Sequence, residues 1–315
     1  MGKNPRILYV SIDEAHPIGG VKVHYLHVKH LIKSGFDAYV LHLKEGFRPT
    51  WFDVDIPILY GGEEFELRPD DILVIPENNR EALNILGNVK LTKYIFCQNH
   101  YYVFYGLKDD EDWRDFGITG VFCCSEIISE FIKSVFDYTD VPVIHNAIDV
   151  SVFKPGPKRL QIAYMPRKRA QHIEFIKNIL GRINPRFKDI PWVPIDNRTE
   201  TEVAEILGES ALFFSSSTQE GFGLPPLEAM SCGCVVVGFH GDGGREYADK
   251  ENGLWCDEGD LLGCAQTLAN AVTLILNEDD SIDVLRQNAA KTASMYNFSR
   301  QENEVVRFWQ KAISS

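Results

Sequence analysis

Short uninterrupted apolar runs alternate with longer stretches whose apolar residues recur every three or four positions, and this alternation organises the whole chain. Arg6 to Ile12 is a run of the first kind and predicts a buried strand. A loop holding Gly19-Gly20 follows. Val21 to Lys33 then shows helical spacing, ended by Gly35, before a second strand at Ala38 to Leu43. Asp71 to Pro76, Tyr94 to Cys97 and Gly120 to Cys124 predict further short strands with helical segments between them. Buried strands alternating with helices imply a parallel, doubly wound α/β sheet.

The pattern breaks between Val141 and Pro157, where Pro142, Pro155, Gly156 and Pro157 suit an interdomain linker. It restarts at Leu160 to Met165. Strands are predicted near Trp192-Val193, Ala211 to Ser215 and Cys234 to Gly238. Two Rossmann-like units are therefore expected, 1–145 and 146–300. From Arg300 to Ser315 the apolar positions Val305, Phe308 or Trp309, and Ala312 or Ile313 fall at helical intervals. That pattern fits a terminal helix packed on either unit.

Composition narrows the function classes. The 315 residues suffice for two domains of ordinary size, and 44% hydrophobic with 24% charged residues is a soluble globular balance. The net charge of −13 argues against nucleic acid as a partner and against steady capture by anionic membrane. No apolar segment approaches the ~20 residues of a membrane span, and Met1-Gly-Lys-Asn-Pro5 lacks a signal-peptide run. A cytoplasmic location is the default, with peripheral membrane attachment left open. Seven cysteines without zinc-ligand spacing read as buried thiols in a reducing compartment.

The densest candidate chemistry is Glu220-Gly-Phe-Gly-Leu-Pro-Pro-Leu-Glu228. If Pro226 opens a helix, Glu228 sits in its first turn while Glu220 stays on the loop after a strand. Two carboxylates then bracket a glycine loop at the edge where open α/β sheets bind ligands. The spacing, the intervening glycines and the following Ala229-Met230-Ser231-Cys232-Gly233 resemble the E-x7-E signature of retaining family-4 glycosyltransferases of the GT-B fold. The resemblance implies two Rossmann-like doubly wound domains facing across a cleft, an N-terminal acceptor side and a C-terminal donor side. It also implies a terminal helix, 301–315, crossing back to the first domain. Glu228 would bind the ribose of a sugar nucleotide and Glu220 the donor sugar near its anomeric centre. The loop Gly221, Phe222, Gly223 and Leu224 would support sugar and diphosphate.

Other segments extend the likeness. Met165-Pro-Arg167-Lys168-Arg169 ends a predicted strand, and Arg167 and Lys168 resemble the family's basic pair that neutralises the departing diphosphate, so that no metal or other cofactor is needed. The family usually separates its Arg and Lys by several residues, whereas these two are adjacent. Gly19-Gly20 looks like the family's Gly-Gly loop facing the donor phosphates, although a tight turn has the same composition. His100, in Gln98-Asn99-His100, matches a histidine near the donor sugar, and an aromatic run from Tyr101 to Tyr105 follows it. His145-Asn146-Ala-Ile-Asp149 through Phe153 and Pro155 resembles the family's linker motif, with Ala147 in place of glycine.

Asp53-Val-Asp55 and Asp110-Glu-Asp112 have the form of a metal-binding D-x-D triplet. Both lie away from the expected donor region, and the second reads as a solvated loop. The expected function is transfer of a sugar from a nucleotide-diphosphate sugar to a glycan, lipid-linked or small-molecule acceptor, with retention. Alternatives are a non-catalytic sugar-nucleotide-binding protein and another GT-B enzyme such as a sugar-nucleotide epimerase.

Overall fold

The computed structural model describes residues 5–62, 65–167 and 169–314, so Lys168 lies outside the described residues. The chain divides into two compact units, one comprising residues up to Asn146 together with Ser299 onward, the other Ala147–Phe298. In the first, six parallel strands are β1 (Arg6–Val10), β2 (Asp37–His42), β3 (Ile58–Tyr60), β4 (Ile72–Pro76), β5 (Thr92–Cys97) and β6 (Gly120–Cys123). Helices α1 (Gly19–Lys33), α2 (Arg80–Leu86), α3 (Val103–Gly106) and α4 (Glu126–Phe136) join them. The strand order β3-β2-β1-β4-β5-β6 reverses direction between β1 and β4. Such a switch point opens a crevice at the carboxyl ends of the strands. The sequences explain the layering: β1 and β4 are buried along their whole length, as strands covered on both faces must be.

In the second unit the strands are β7 (Arg159–Tyr164), β8 (Trp192–Pro194), β9 (Ser210–Glu220), β10 (Val235–Asp242) and β11 (Leu254–Trp255). They pair in parallel in the order β11-β10-β9-β7-β8, with the switch between β7 and β9. Helices α5 (Ala170–Ile183), α6 (Glu200–Glu209), α7 (Leu224–Ser231), α8 (Leu261–Leu276) and α9 (Asp280–Met295) accompany them. The core joins Ile162, Leu212, Phe214, Val235 and Val237 of the sheet to Ile173, Ile176 and Leu180 of α5 and Leu268 and Val272 of α8. The linker residue Phe153 is buried and its carbonyl accepts a 2.6 Å bond from Ser231 Oγ at the end of α7.

The final helix, α10 (Phe298–Ser314), completes the first unit. Trp309 is fully buried against Tyr94, Phe122 and Tyr9, and its Nε1 donates to Tyr9 Oη at 3.1 Å. Glu304 accepts the His145 backbone N–H at 2.7 Å and Arg300 Nε at 2.9 Å.

Helix α1 buries a column of histidines. His24 accepts from Gln98 Nε2 at 3.0 Å and has Ser11 Oγ at 3.3 Å; His27 lies 3.2 Å from Tyr9 Oη, and His30 meets Gln301. Burial lowers the pKa of His24, from its ordinary 6.5 to about 3, and also lowers those of His27, His30 and His42. A histidine held neutral binds fewer protons folded than unfolded. Its contribution is therefore intact above pH 6.5 and is lost as the pH falls through 6.5 toward the lowered value. Buried Glu77, raised to about 7 by desolvation, acts oppositely between 7 and its ordinary 4.5, but it is one group against four. Urea unfolding is expected to show a lower midpoint for the first unit at pH 5 than at pH 7.5, at about 1 kcal/mol per pH unit for each fully buried histidine. An unchanged midpoint would contradict the neutral column.

Candidate active site

The second unit's site is built by the length of β9. Its partner β7 ends at Tyr164, opposite Phe214, while β9 runs on to Glu220. Glu220 thus closes a strand rather than standing on the loop. It is paired with Asp242 beyond a register shift in β10. Strand β10 and the turn after it are locked against the glycine loop by close approach. A Cβ on Gly243 would lie 2.3 Å from the Gly221 carbonyl carbon and 2.4 Å from the Phe222 nitrogen. Gly241, at φ +69°, also leaves little room, with Ser217 Cβ 2.7 Å and Glu220 Cγ 3.1 Å from where a Cβ would stand. The turn Gly241 to Glu246 is therefore a wall of the site, formed by the end of β10 and a 3-10 turn at Gly243–Glu246.

Helix α7 begins earlier than its prolines suggest. Gly223, at φ 86°, caps it, and Leu224 is its first residue. Pro225 and Pro226 both fit the first turn, where a missing N–H leaves no helical bond unmade. Glu228 is consequently the fifth helical residue, in the second turn instead of the first. Tyr247 ties these pieces together. Its hydroxyl donates to the Gly223 carbonyl, and its ring packs on Phe222 and Tyr296 at 5.7 and 5.9 Å. Burial raises its pKa well above the ordinary value, and the electrostatics of Glu220, Tyr296, Glu228 and Glu246 raise it further. Glu220 and Glu228 are themselves half-buried, open enough to meet a ligand.

The basic turn after β7 stands beside this loop. Ser216 Oγ of β9 donates to the Met165 carbonyl at 3.1 Å. Arg167 is exposed in the turn. Arg169 is the fixed cation: its left-handed backbone (φ 59°) opens α5 and turns its side chain across Phe239, 5.2 Å from the ring centre. There it reaches Thr218 Oγ1 at 2.5 Å and pairs with Glu258, while its Nη1 is buried without a hydrogen bond among the described residues. The sequence grouped Arg169 with its neighbours as a cation that could meet a diphosphate but gave it no individual role. The cue was the third cation in a run just ahead of a helix.

The remaining predicted residues lie in the first unit. Gly19 and Gly20 do not form a loop; they are the first residues of α1, whose N-cap Ile18 supplies no side-chain cap. Gln98 Nε2 bonds the Gly20 carbonyl at 3.1 Å, joining the helix opening to the turn after β5. His100 starts a 3-10 turn on that same segment, buried beside Tyr101 and Phe131. Glu77, directly after β4 at the switch point, accepts the backbone N–H groups of Gln98 and Asn99 at 3.2 and 3.0 Å. Nothing in the local pattern distinguished this carboxylate from a surface one. In the acidic stretch Asp109 and Asp110 form an exposed turn, while Glu111 pairs with Arg80 and Asp112 caps a 3-10 turn. Asp53 and Asp55 are exposed.

Residues 195–292 match the family described as Glycosyl transferases group 1. An alpha-1,6-glucosyltransferase of Actinobacillus pleuropneumoniae serotype 7 (strain AP76) is 27% identical over 270 residues, 82% of this chain and 81% of that protein. The N-acetyl-alpha-D-glucosaminyl L-malate synthase of Bacillus anthracis is 33% identical over 112 residues, 35% of this chain and 27% of that one. Among solved structures, a sucrose-phosphate synthase from Thermosynechococcus elongatus superposes with a TM-score of 0.72 at 12% identity, covering 99% of this chain and 100% of that one. HepE of Anabaena, in complex with UDP and glucose, gives 0.69 at 14%, covering 98% and 100%. The fold is GT-B, with two parallel doubly wound sheets. The chain is an enzyme of the glycosyltransferase class. Among the described residues no helix is long and apolar enough to cross a membrane.

Proposed function

We propose that the protein transfers a hexosyl group, glucose in the first instance, from a uridine-diphosphate sugar to a glycan, lipid-linked or small-molecule acceptor, with retention and without a metal. The observation that carries this reading is the placement of Glu220 at the end of β9 and Glu228 in the second turn of α7, on either side of the glycine loop that Tyr247 ties down. One carboxylate at a strand end and one on the following helix suit a ligand with a hydroxyl-bearing ring at each end of a diphosphate. Glu228 holds the ribose hydroxyls. Glu220 orients the sugar and supports the positive charge that grows at its anomeric carbon. The amides of Gly221 to Leu224 and the cations Arg167 and Lys168 receive the departing diphosphate, whose charge grows in the transition state. Arg169, held by Glu258 and Thr218, keeps that turn in place. Gly19, Gly20 and His100 of the first unit serve the phosphates and the sugar. The named glucosyltransferase relative, and a further HepE structure described as a complex with UDP-glucose, support glucose and uridine as first choices.

Calorimetric titration with UDP in the absence of added metal tests the donor site. Glu228→Ala is expected to weaken binding by about 2–3 kcal/mol, the scale of charge-assisted bonds to two hydroxyls. Glu220→Ala should bind UDP nearly as wild type yet lose turnover of UDP-glucose. Equal UDP affinity in wild type and Glu228→Ala would remove the ribose assignment, and with it the donor site.

A further inference from the structure

Glu77 is buried to 3% exposure at the carboxyl end of β4, beside the switch point of the first sheet. Buried carboxylates are rare unless they are bonded, and this one spends both oxygens on backbone N–H groups of a neighbouring strand end. Oε2 takes Gln98 and Oε1 takes Asn99. From Gln98 the connection continues through the side-chain amide, which donates to the Gly20 carbonyl and to His24 Nε2. From Asn99 it continues through Oδ1, which accepts the Tyr101 N–H and so starts the 3-10 turn that carries His100. Helix α3 presses on the same point: a Cβ on Gly106 would stand 2.1 Å from the Glu77 carbonyl oxygen.

We infer that Glu77 is a positioning residue, whose buried carboxylate holds the Gln98–Asn99–His100 turn and, through Gln98, the glycine opening of α1 in one arrangement. The inference rests on the function proposed above for the reaction that this arrangement serves. The groups around Glu77 leave its charge unneutralised. Cys97 at the end of β5 and Cys124 after β6 are buried thiols, with Cys124 Sγ donating to the Gln98 carbonyl. His24 on α1 is neutral, and Arg80 on α2 is engaged by Glu111. Desolvation raises the Glu77 pKa to about 7 despite its amide bonds. The ionised carboxylate accepts from both amides. Once protonated, one oxygen becomes a donor and holds its amide less well, so the turn tightens as the pH rises through neutrality.

Glu77→Gln and Glu77→Asp in the full chain test this. Glutamine has the same shape and removes a buried charge, so its folding is expected to equal or exceed that of wild type, with the melting temperature as control. Hydrogen exchange of the peptide spanning 97–102, corrected for intrinsic rates, should be about tenfold or more faster in Glu77→Gln at pH 8. Wild-type protection should rise between pH 6 and 8, and Glu77→Asp should keep that pH dependence. Turnover of UDP-glucose, followed as UDP release, should fall by about tenfold or more in kcat for Glu77→Gln. Its UDP affinity should stay within about twofold, and the limb near pH 7 should vanish. Equal exchange in wild type and Glu77→Gln overturns the inference, as does parallel loss of UDP affinity and kcat. If wild type does not turn over UDP-glucose, the sugar-nucleotide reading fails and the exchange comparison decides the role of Glu77.

Discussion

Replacing Gly243 by alanine is expected to abolish useful nucleotide binding while leaving the second unit folded. The new methyl carbon would fall between 2.3 and 2.5 Å from three backbone atoms of Gly221 and Phe222. No rotation of a side chain relieves a clash with main chain, so the 3-10 turn and the glycine loop must separate. That loop joins Glu220 to the helix of Glu228, and the amides of Gly221 to Leu224 shift with it. A displacement of this size in a positioning segment costs about 100-fold, and UDP affinity should fall by that factor or more. Gly259→Ala is the control. Gly259, unlike Gly243, has a left-handed backbone (φ +86°), and a Cβ there meets nothing within 4 Å. It should cost stability of about 1 kcal/mol through backbone strain and leave UDP binding alone. Gly243→Ala binding UDP within threefold of wild type would contradict the assigned wall.

Trp309→Ala should have the largest effect on stability, about 3–5 kcal/mol, borne by the first unit. The indole is fully buried, packs on Tyr94 and Phe122, and its loss also strips the buried Tyr9 hydroxyl of its donor. Raised by burial, the Tyr9 pKa keeps that hydroxyl neutral, with His27 Nδ1 at 3.2 Å as its remaining partner. Urea unfolding should show the transition of the first unit moving to lower denaturant while that of the second stays. Ile313→Ala, at a position 37% exposed on the same helix, should shift it little. Coincident movement of both transitions would show that α10 stabilises more than its own unit.

The long apolar strands were legible because burial on both faces leaves an uninterrupted run, as in Ile72 to Pro76. Strand β3 was not, since its three residues are all half-exposed and lack any such run. The start of α1 was hidden because its N-cap, Ile18, carries no capping oxygen and its first two residues are glycines. The first turn of α7 was misplaced because the second of two prolines seemed the natural opening, although the first turn accommodates both. Within the site, the carboxylate pair and the glycine loop could be read as a local motif. Tyr247 and Arg169 could not be assigned. The first acts from 24 residues beyond Gly223, and the second depends on a left-handed backbone at a residue that rarely adopts one. Glu77 required the strand order, because its partners Gln98 and Asn99 belong to the next strand across.

Helix α10 also sets an order of events during synthesis. The second unit is one continuous stretch, Ala147–Phe298, and all of its residues are polymerised before the part of α10 that follows Ser299. The first unit begins earlier but cannot close its core around Trp309 until the residues after Ser299 emerge. Domains generally fold as units, N-terminal first; here the N-terminal unit includes the last element to be made. The β-sheet made first lacks the indole that packs on Tyr9, Tyr94 and Phe122 until the chain's last helix has been added.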